Sequence, residues 1–188
     1  WFKQNDVKVV IASFNGADSP EMRAFMEETK RNGMTVFAGS GNTPGGSAFP
    51  AMHPDAVSVG ADNEGLAYRT DPCQSGWVDF TMDGGVPMRR DGREVDAGTS
   101  YATAKAAAFG AYYARANPDV TTETMRSTLA SVAISVKYQD GDRVTQATRL
   151  DDVVSAEEMR GLVAREEEGR RTRNFAMNQA AAAQSMGR

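Results

Sequence analysis

One cysteine and one histidine stand in 188 residues, and each scarcity removes a class of chemistry. Cys73 has no partner for an intramolecular disulfide, and with His53 alone beside it no thiolate–imidazole metal cage can form. Positive charge is not in excess, since 21 Lys and Arg against 25 Asp and Glu leave a formal net charge of -4. Nucleic-acid and anionic-membrane binders usually carry a basic surplus or a basic face, so neither partner is expected. No apolar run approaches the roughly 20 residues that span a bilayer. The Gly-x-Ser-x-Gly elbow of lipase-type hydrolases is also missing. The opening residues Trp1-Phe2-Lys3-Gln4-Asn5-Asp6 contain no initiator Met, no basic leader and no apolar signal core, and they read as an interior cut of a longer product.

What is present suits one packed domain with an appendage. Apolar residues make up 40%, enough for a core, and 18 glycines hint at tight loops and close backbone approaches. Val7 to Ala12, Met34 to Ala38 and Ala56 to Ala61 are short, β-branched runs that read as buried strands. Between the first two, Ser19-Pro20-Glu21 opens a helix with an N-cap, a Pro at its first position and an acid in its first turn. Met22, Phe25, Met26 and Thr29 form its apolar face, and Asn32-Gly33 ends it. Strand, helix, strand at this spacing predicts an α/β fold, a parallel sheet flanked by helices with right-handed crossovers.

Further on, a strand is expected at Trp77-Val78-Asp79-Phe80, and a hairpin about Asp91-Gly92. Ser100 to Ala114 is small and apolar on nearly every side and predicts a helix buried in the middle of the domain. Asn117-Pro118-Asp119 breaks it, and Thr121 caps the next helix, with Val120 and Met125 at staple spacing. Residues 1–152 are read as the domain and 153–188 as a helical extension. That extension pairs Glu166/Arg170 and Glu167/Arg171 at favourable spacing and carries a narrow stripe of Met159, Leu162 and Val163. Two readings of it stand: a helix that docks on a partner or on its own assembly, or a solvated tail.

Two glycine-flanked segments carry the chemistry. In Ala97-Gly98-Thr99-Ser100-Tyr101-Ala102 a serine follows a tight turn and opens a helix, where the field of the helix N-terminus stabilises a developing oxyanion. Serine is also a common N-cap, which is the structural alternative. In Ala38-Gly39-Ser40-Gly41-Asn42 a strand empties into a loop that presents an amide able to donate to an oxyanion, or an Asn that merely suits a turn.

Together, and in this order, the segments resemble the subtilisin-like serine proteases. Val10-Ile11-Ala12-Ser13-Phe14-Asn15-Gly16 is similar to that family's cleft strand, Ala38-Gly39-Ser40-Gly41-Asn42 to its Ala-Ala-Gly-Asn segment, and Gly98-Thr99-Ser100-Tyr101-Ala102 to its Gly-Thr-Ser-Met-Ala nucleophile motif. Phe49 to Ala61 matches its Tyr-Pro…Pro…Val…Val-Gly-Ala run, and Asn117-Pro118 through Leu129 its closing helix. The resemblance spans roughly residues 7–131 and implies a subtilisin-like fold, incomplete in this chain. It implies Ser100 as nucleophile, Asn42 and the Ser100 N–H as oxyanion hole, and Thr99 as a supporting hydroxyl. Ser13, Phe14, Asn15 and Gly16 would flank the substrate side chain on one side, and Gly39, Ser40 and Gly41 on the other, with glycines leaving the pocket floor open. The substrate would be a peptide or protein, and the family's secreted or extracytoplasmic habit would apply.

The departures are equally specific. The family orders its triad Asp, His, Ser, yet no His precedes Asn42, and His53 falls at a position without a catalytic role. Lys105 replaces the His of the family's Ser-Pro-His sequence, with Ala104 where Pro is usual. The implied partner is therefore an upstream segment carrying Asp and His. The family's tight calcium site would also lie in that segment, with no cofactor in this chain. Without that segment the sheet is expected to expose a strand edge. The competing reading is a catalytically inactive, protease-derived domain serving as a structural or interaction component of a larger assembly.

Overall fold

The computed structural model describes residues 2–42, 48–62, 78–90, 93–140, 143–151 and 154–186. Val9–Ala12 forms β1, Thr35–Gly39 β2 and Ala56–Asp62 β3, and Pro20–Arg31 between the first two forms helix α1. Ser19 Oγ accepts from Met22 N at 3.2 Å, Pro20 opens the first turn, and Asn32 caps the far end. Gly33 follows at φ 65°, the left-handed geometry that only glycine adopts without a Cβ penalty. The three strands pair in parallel, Val9 opposite Thr35 and Val36 opposite Ala56. Side chains alternate across β2. Val36 and Ala38 join Met26 of α1 on one face, while Phe37 joins Val57 and Val59 on the other. The sheet is thus covered on both faces, as parallel sheets usually are, and β2 and β3 are buried along their length.

Phe80–Asp83 (β4) extends the parallel set beside β3. It begins later than the strand expected from Trp77, which lies outside the described residues. Just before β4, Asp79 is held against β3: its N–H donates to Ser58 O at 3.2 Å, and its carboxylate accepts from Ser58 N at 2.9 Å and lies 3.1 Å from Arg126 Nε. Gly85–Arg90 (β5) and Arg93–Ala97 (β6) form the expected antiparallel hairpin, its turn residues Asp91 and Gly92 lying outside the described ones.

Thr99–Ala116 (α2) packs across the sheet. Burial is not all round, because Ala104, Ala108, Ala111 and Arg115 make an exposed stripe. The helix lies in a covering layer, and its small residues serve close approach to the sheet on one side. Thr122–Val132 (α3) starts as expected, Thr121 Oγ1 accepting from Thr124 N at 3.1 Å with Val120 and Met125 both buried.

A second hairpin, Ile134–Asp140 (β7) and Arg143–Arg149 (β8), was not anticipated. Its second strand joins β4 in parallel, giving the order β1-β2-β3-β4-β8-β7. Arg149 Nε reaches the buried Asp62 carboxylate at 3.1 Å and ties β8 back to β3. Val154–Met186 (α4) then buries Met159 and Val163 in the main core, against α2 and α3. Glu167 pairs with Arg115 of α2 at 3.5 Å rather than with Arg171, which approaches Glu168 at 4.0 Å. Residues 170–179 are exposed, Phe175 and Met177 among them. At the other end of the sheet, β1 has β2 as its single strand neighbour among the described residues, and its Ile11 is 51% exposed. That is the open edge expected of an incomplete sheet. No helix among the described residues is long and apolar enough to cross a membrane.

Candidate active site

The carboxyl ends of β1 and β2 meet the first turn of α2, the end of a parallel sheet where ligands commonly bind. The β5–β6 hairpin delivers the chain to this point, and Gly98 N donates to Gly84 O at 3.1 Å. Gly98 is the N-cap of α2 and makes no side-chain cap bond. Ser100 is therefore the second residue of the helix, and N-capping does not account for it. A Cβ on Gly98 would lie 3.2 Å from both Oδ1 and Nδ2 of Asn42, so glycine here admits the Asn side chain.

Asn42 Oδ1 accepts from Thr99 N at 2.9 Å and from Thr99 Oγ1 at 3.0 Å. With its oxygen held twice, the carboxamide has one orientation, and its Nδ2 makes no hydrogen bond among the described residues. Thr99 is itself buried, and Thr103 Oγ1 donates to its carbonyl at 2.6 Å. Gly39 makes room for this pair, since a Cβ there would lie 3.1 Å from Thr103 Oγ1 and 3.2 Å from Thr99 Oγ1. The Ser100 N–H, in the helix's first turn, has no acceptor among the described residues, as is usual for first-turn amides. The Asn42 Nδ2 and Ser100 N–H donors, both at the start of an 18-residue helix through the Thr99 bonds, and the positive end of that helix suit an oxygen that gains negative charge.

Of the first expected wall, Ser13 and Gly16 make defined contacts. Ser13 Oγ donates to Ser100 O at 3.1 Å, and Ser100 Oγ points to Ser13 O at 3.4 Å. Phe14 is half exposed beside it, and Gly16 is pinned by its N–H to Phe49 O at 3.0 Å. In the second wall Ser40 is buried and its N–H donates to Val59 O at 2.9 Å, so it serves through its backbone. Gly41 has φ 94°, which a side chain would strain. Asn15 lies between the two segments, and with its carboxamide turned so that the nitrogen faces acceptors it donates to Gly39 O at 3.2 Å.

His53 is engaged in a local turn. Its Nδ1 accepts from Asp55 N at 3.2 Å and its ring meets Phe49 edge-on at 5.6 Å. Lys105 Nζ donates to Asp83 Oδ2 at 3.0 Å and to Gly85 O at 3.4 Å, bracing the turn that holds Gly98. Sequence reasoning named Lys105 without finding Asp83, because a strand end and a helix face 22 residues apart share no local pattern. Cys73 lies outside the described residues. Among the described residues no cluster of three His, Cys, Asp or Glu could hold a metal ion.

Comparison with known proteins gives a consistent family. No curated protein matches the chain. Among solved structures it is similar to a cold adapted subtilisin-like serine proteinase, with a TM-score of 0.60 and 23% identity. The match covers 81% of this chain and 58% of that one, so the chain spans little more than half of the neighbour's length. The profile of the Subtilase family (peptidase S8) matches residues 1–158. With that match over most of its length, and a subtilisin-like sheet and helix order, the chain belongs to the subtilase family of serine proteases.

Proposed function

We propose that this chain carries the nucleophile and oxyanion hole of a serine endopeptidase, and that the general base and its orienting carboxylate come from polypeptide outside these 188 residues. In this reading Ser100 Oγ attacks the scissile carbonyl of a peptide and forms an acyl-enzyme. The carbonyl oxygen, now an oxyanion, turns toward Asn42 Nδ2 and the Ser100 N–H. A histidine base takes the Ser100 proton and returns it to the leaving amine. The observation that carries this reading is the pair of hydrogen bonds from Thr99 N and Thr99 Oγ1 to Asn42 Oδ1, which orients the carboxamide at the start of the Ser100 helix and leaves Nδ2 without an acceptor among the described residues. The open edge of β1 supports a missing neighbour, and among the described residues Ser100 Oγ has only the long contact to Ser13 O. A serine without a base is a weak nucleophile near neutral pH, so the isolated 188 residues are expected to be inactive.

The test is a fluorophosphonate probe applied to the native protein with any polypeptide that accompanies it. Labelling is expected on Ser100 and is expected to vanish in Ser100→Ala. The second reading, an inactive domain kept for assembly, draws on the exposed far half of α4 with Phe175 and Met177. Absence of labelling in a folded native protein would select it.

A further inference from the structure

We infer that Asn15 closes the slot beside Ser100 to long side chains and restricts the acyl side of the scissile bond to small residues such as Gly, Ala or Ser. This rests on the endopeptidase reading above and adds to it a substrate class. β1 and β2 run side by side as far as Ala12 and Ala38. Beyond their ends, residues 13–16 lie beside the Ser100 hydroxyl and residues 39–41 lead into Asn42. In the endopeptidase reading, an acyl group on Ser100 Oγ with its oxygen toward Asn42 would place its side chain between these segments.

Among the described residues the Asn15 side chain reaches across that space. With its carboxamide turned so that the nitrogen faces acceptors, Asn15 donates to Gly39 O at 3.2 Å and to Phe14 O at 3.2 Å. Its other end would lie 2.8 Å from a Cβ on residue 41, closer than Cβ contacts allow. Gly41, buried and at φ 94°, therefore serves as the seat of the Asn15 side chain. The Gly16–Phe49 bond at 3.0 Å keeps the first segment from drifting away from the second. Asn15 is exposed, so a substrate reaches it, but a long side chain must first displace it. Breaking two hydrogen bonds of ordinary net strength corresponds to about 10- to 30-fold in rate.

The experiment compares peptide p-nitroanilides with Gly, Ala, Leu or Phe before the scissile amide, cleaved by the native protein and by Asn15→Gly. The native protein is expected to favour Ala over Phe in kcat/KM by about 10-fold or more. In Asn15→Gly the Phe-to-Ala ratio is expected to rise by about 10-fold. Asn15→Ser removes the carboxamide but keeps a Cβ, and is expected to move the ratio the same way if the glycine variant folds poorly. Cleavage with an unchanged ratio in both variants, or native cleavage after Phe as fast as after Ala, overturns the gate alone. Neither cleavage nor fluorophosphonate labelling in the folded native protein overturns the endopeptidase reading and the gate with it.

Discussion

Asn42→Asp is expected to lower kcat by on the order of 10²–10³, equivalent to about 2.7–4 kcal/mol, with KM little changed. The substitution keeps an oxygen where Thr99 N and Thr99 Oγ1 donate, at 2.9 and 3.0 Å, so the turn stays tied to α2. What it removes is the Nδ2 donor, and it places a carboxylate where negative charge develops. The ground-state carbonyl draws little on that donor and the oxyanion draws strongly on it, so the loss falls on kcat and kcat/KM together. A purely structural role for Asn42 would show a different signature: a lowered unfolding midpoint with turnover of the folded fraction intact. Retention of more than about a tenth of native turnover would remove Asn42 from the oxyanion hole.

Gly110→Ala is expected to destabilise the fold by about 2 kcal/mol, against the usual sign for a helix interior. In an exposed helix this change gains roughly 1 kcal/mol of helix propensity. At position 110 of α2 the new methyl would lie 2.4 Å from Phe37 Cζ and 2.6 Å from its Cε2, with Met125 Sδ at 3.4 Å. Phe37 is 0% exposed, on a strand buried from end to end, so its ring has no solvent to retreat into. Overpacking of this kind costs about 1–3 kcal/mol and sometimes more, and a contact this short belongs at the upper end. Packing therefore outweighs propensity. Urea denaturation of the native protein measures the difference, and a variant as stable as the parent would show that the helix shifts off the sheet at little cost.

The parts of the fold that could be read from sequence are those whose signal is local. The Ser19 and Thr121 caps, the runs that became β1, β2 and β3, and the hairpin about Asp91-Gly92 all rest on neighbours within a few residues. The β7–β8 hairpin escaped because it is polar: Ile134 and Val136 are only half buried, alternating with exposed Ser135 and Lys137. Its signal was present in that alternation and in the Gly141-Asp142 pair of the sequence, but the weak hydrophobicity masked it. α4 followed its stripe, since Met159 and Val163 turn to the core and Leu162 packs half buried beside them. That stripe ends at Val163, and the residues at 170–179 are exposed.

The candidate site divides in the same way. Ser100 and Asn42 stood out through their glycine-flanked loops, but the bond between Asn42 and Thr99 joins residues 57 apart and depends on the sheet. Asn15 shows the limit most clearly. From sequence it was one of several residues lining an open pocket, whereas its reach to Gly39 O depends on β1 and β2 lying side by side. Lys105 likewise takes its meaning from Asp83, which only the packing of α2 on the end of β4 provides.

The most direct measurement is a crystal structure of the native protein inactivated by a fluorophosphonate. A phosphonyl group on Ser100 Oγ with one oxygen about 2.7–3.1 Å from both Asn42 Nδ2 and the Ser100 N–H is the expected result. An adduct on Ser100 whose oxygens all face solvent, with Asn42 Nδ2 bonded elsewhere, would contradict it.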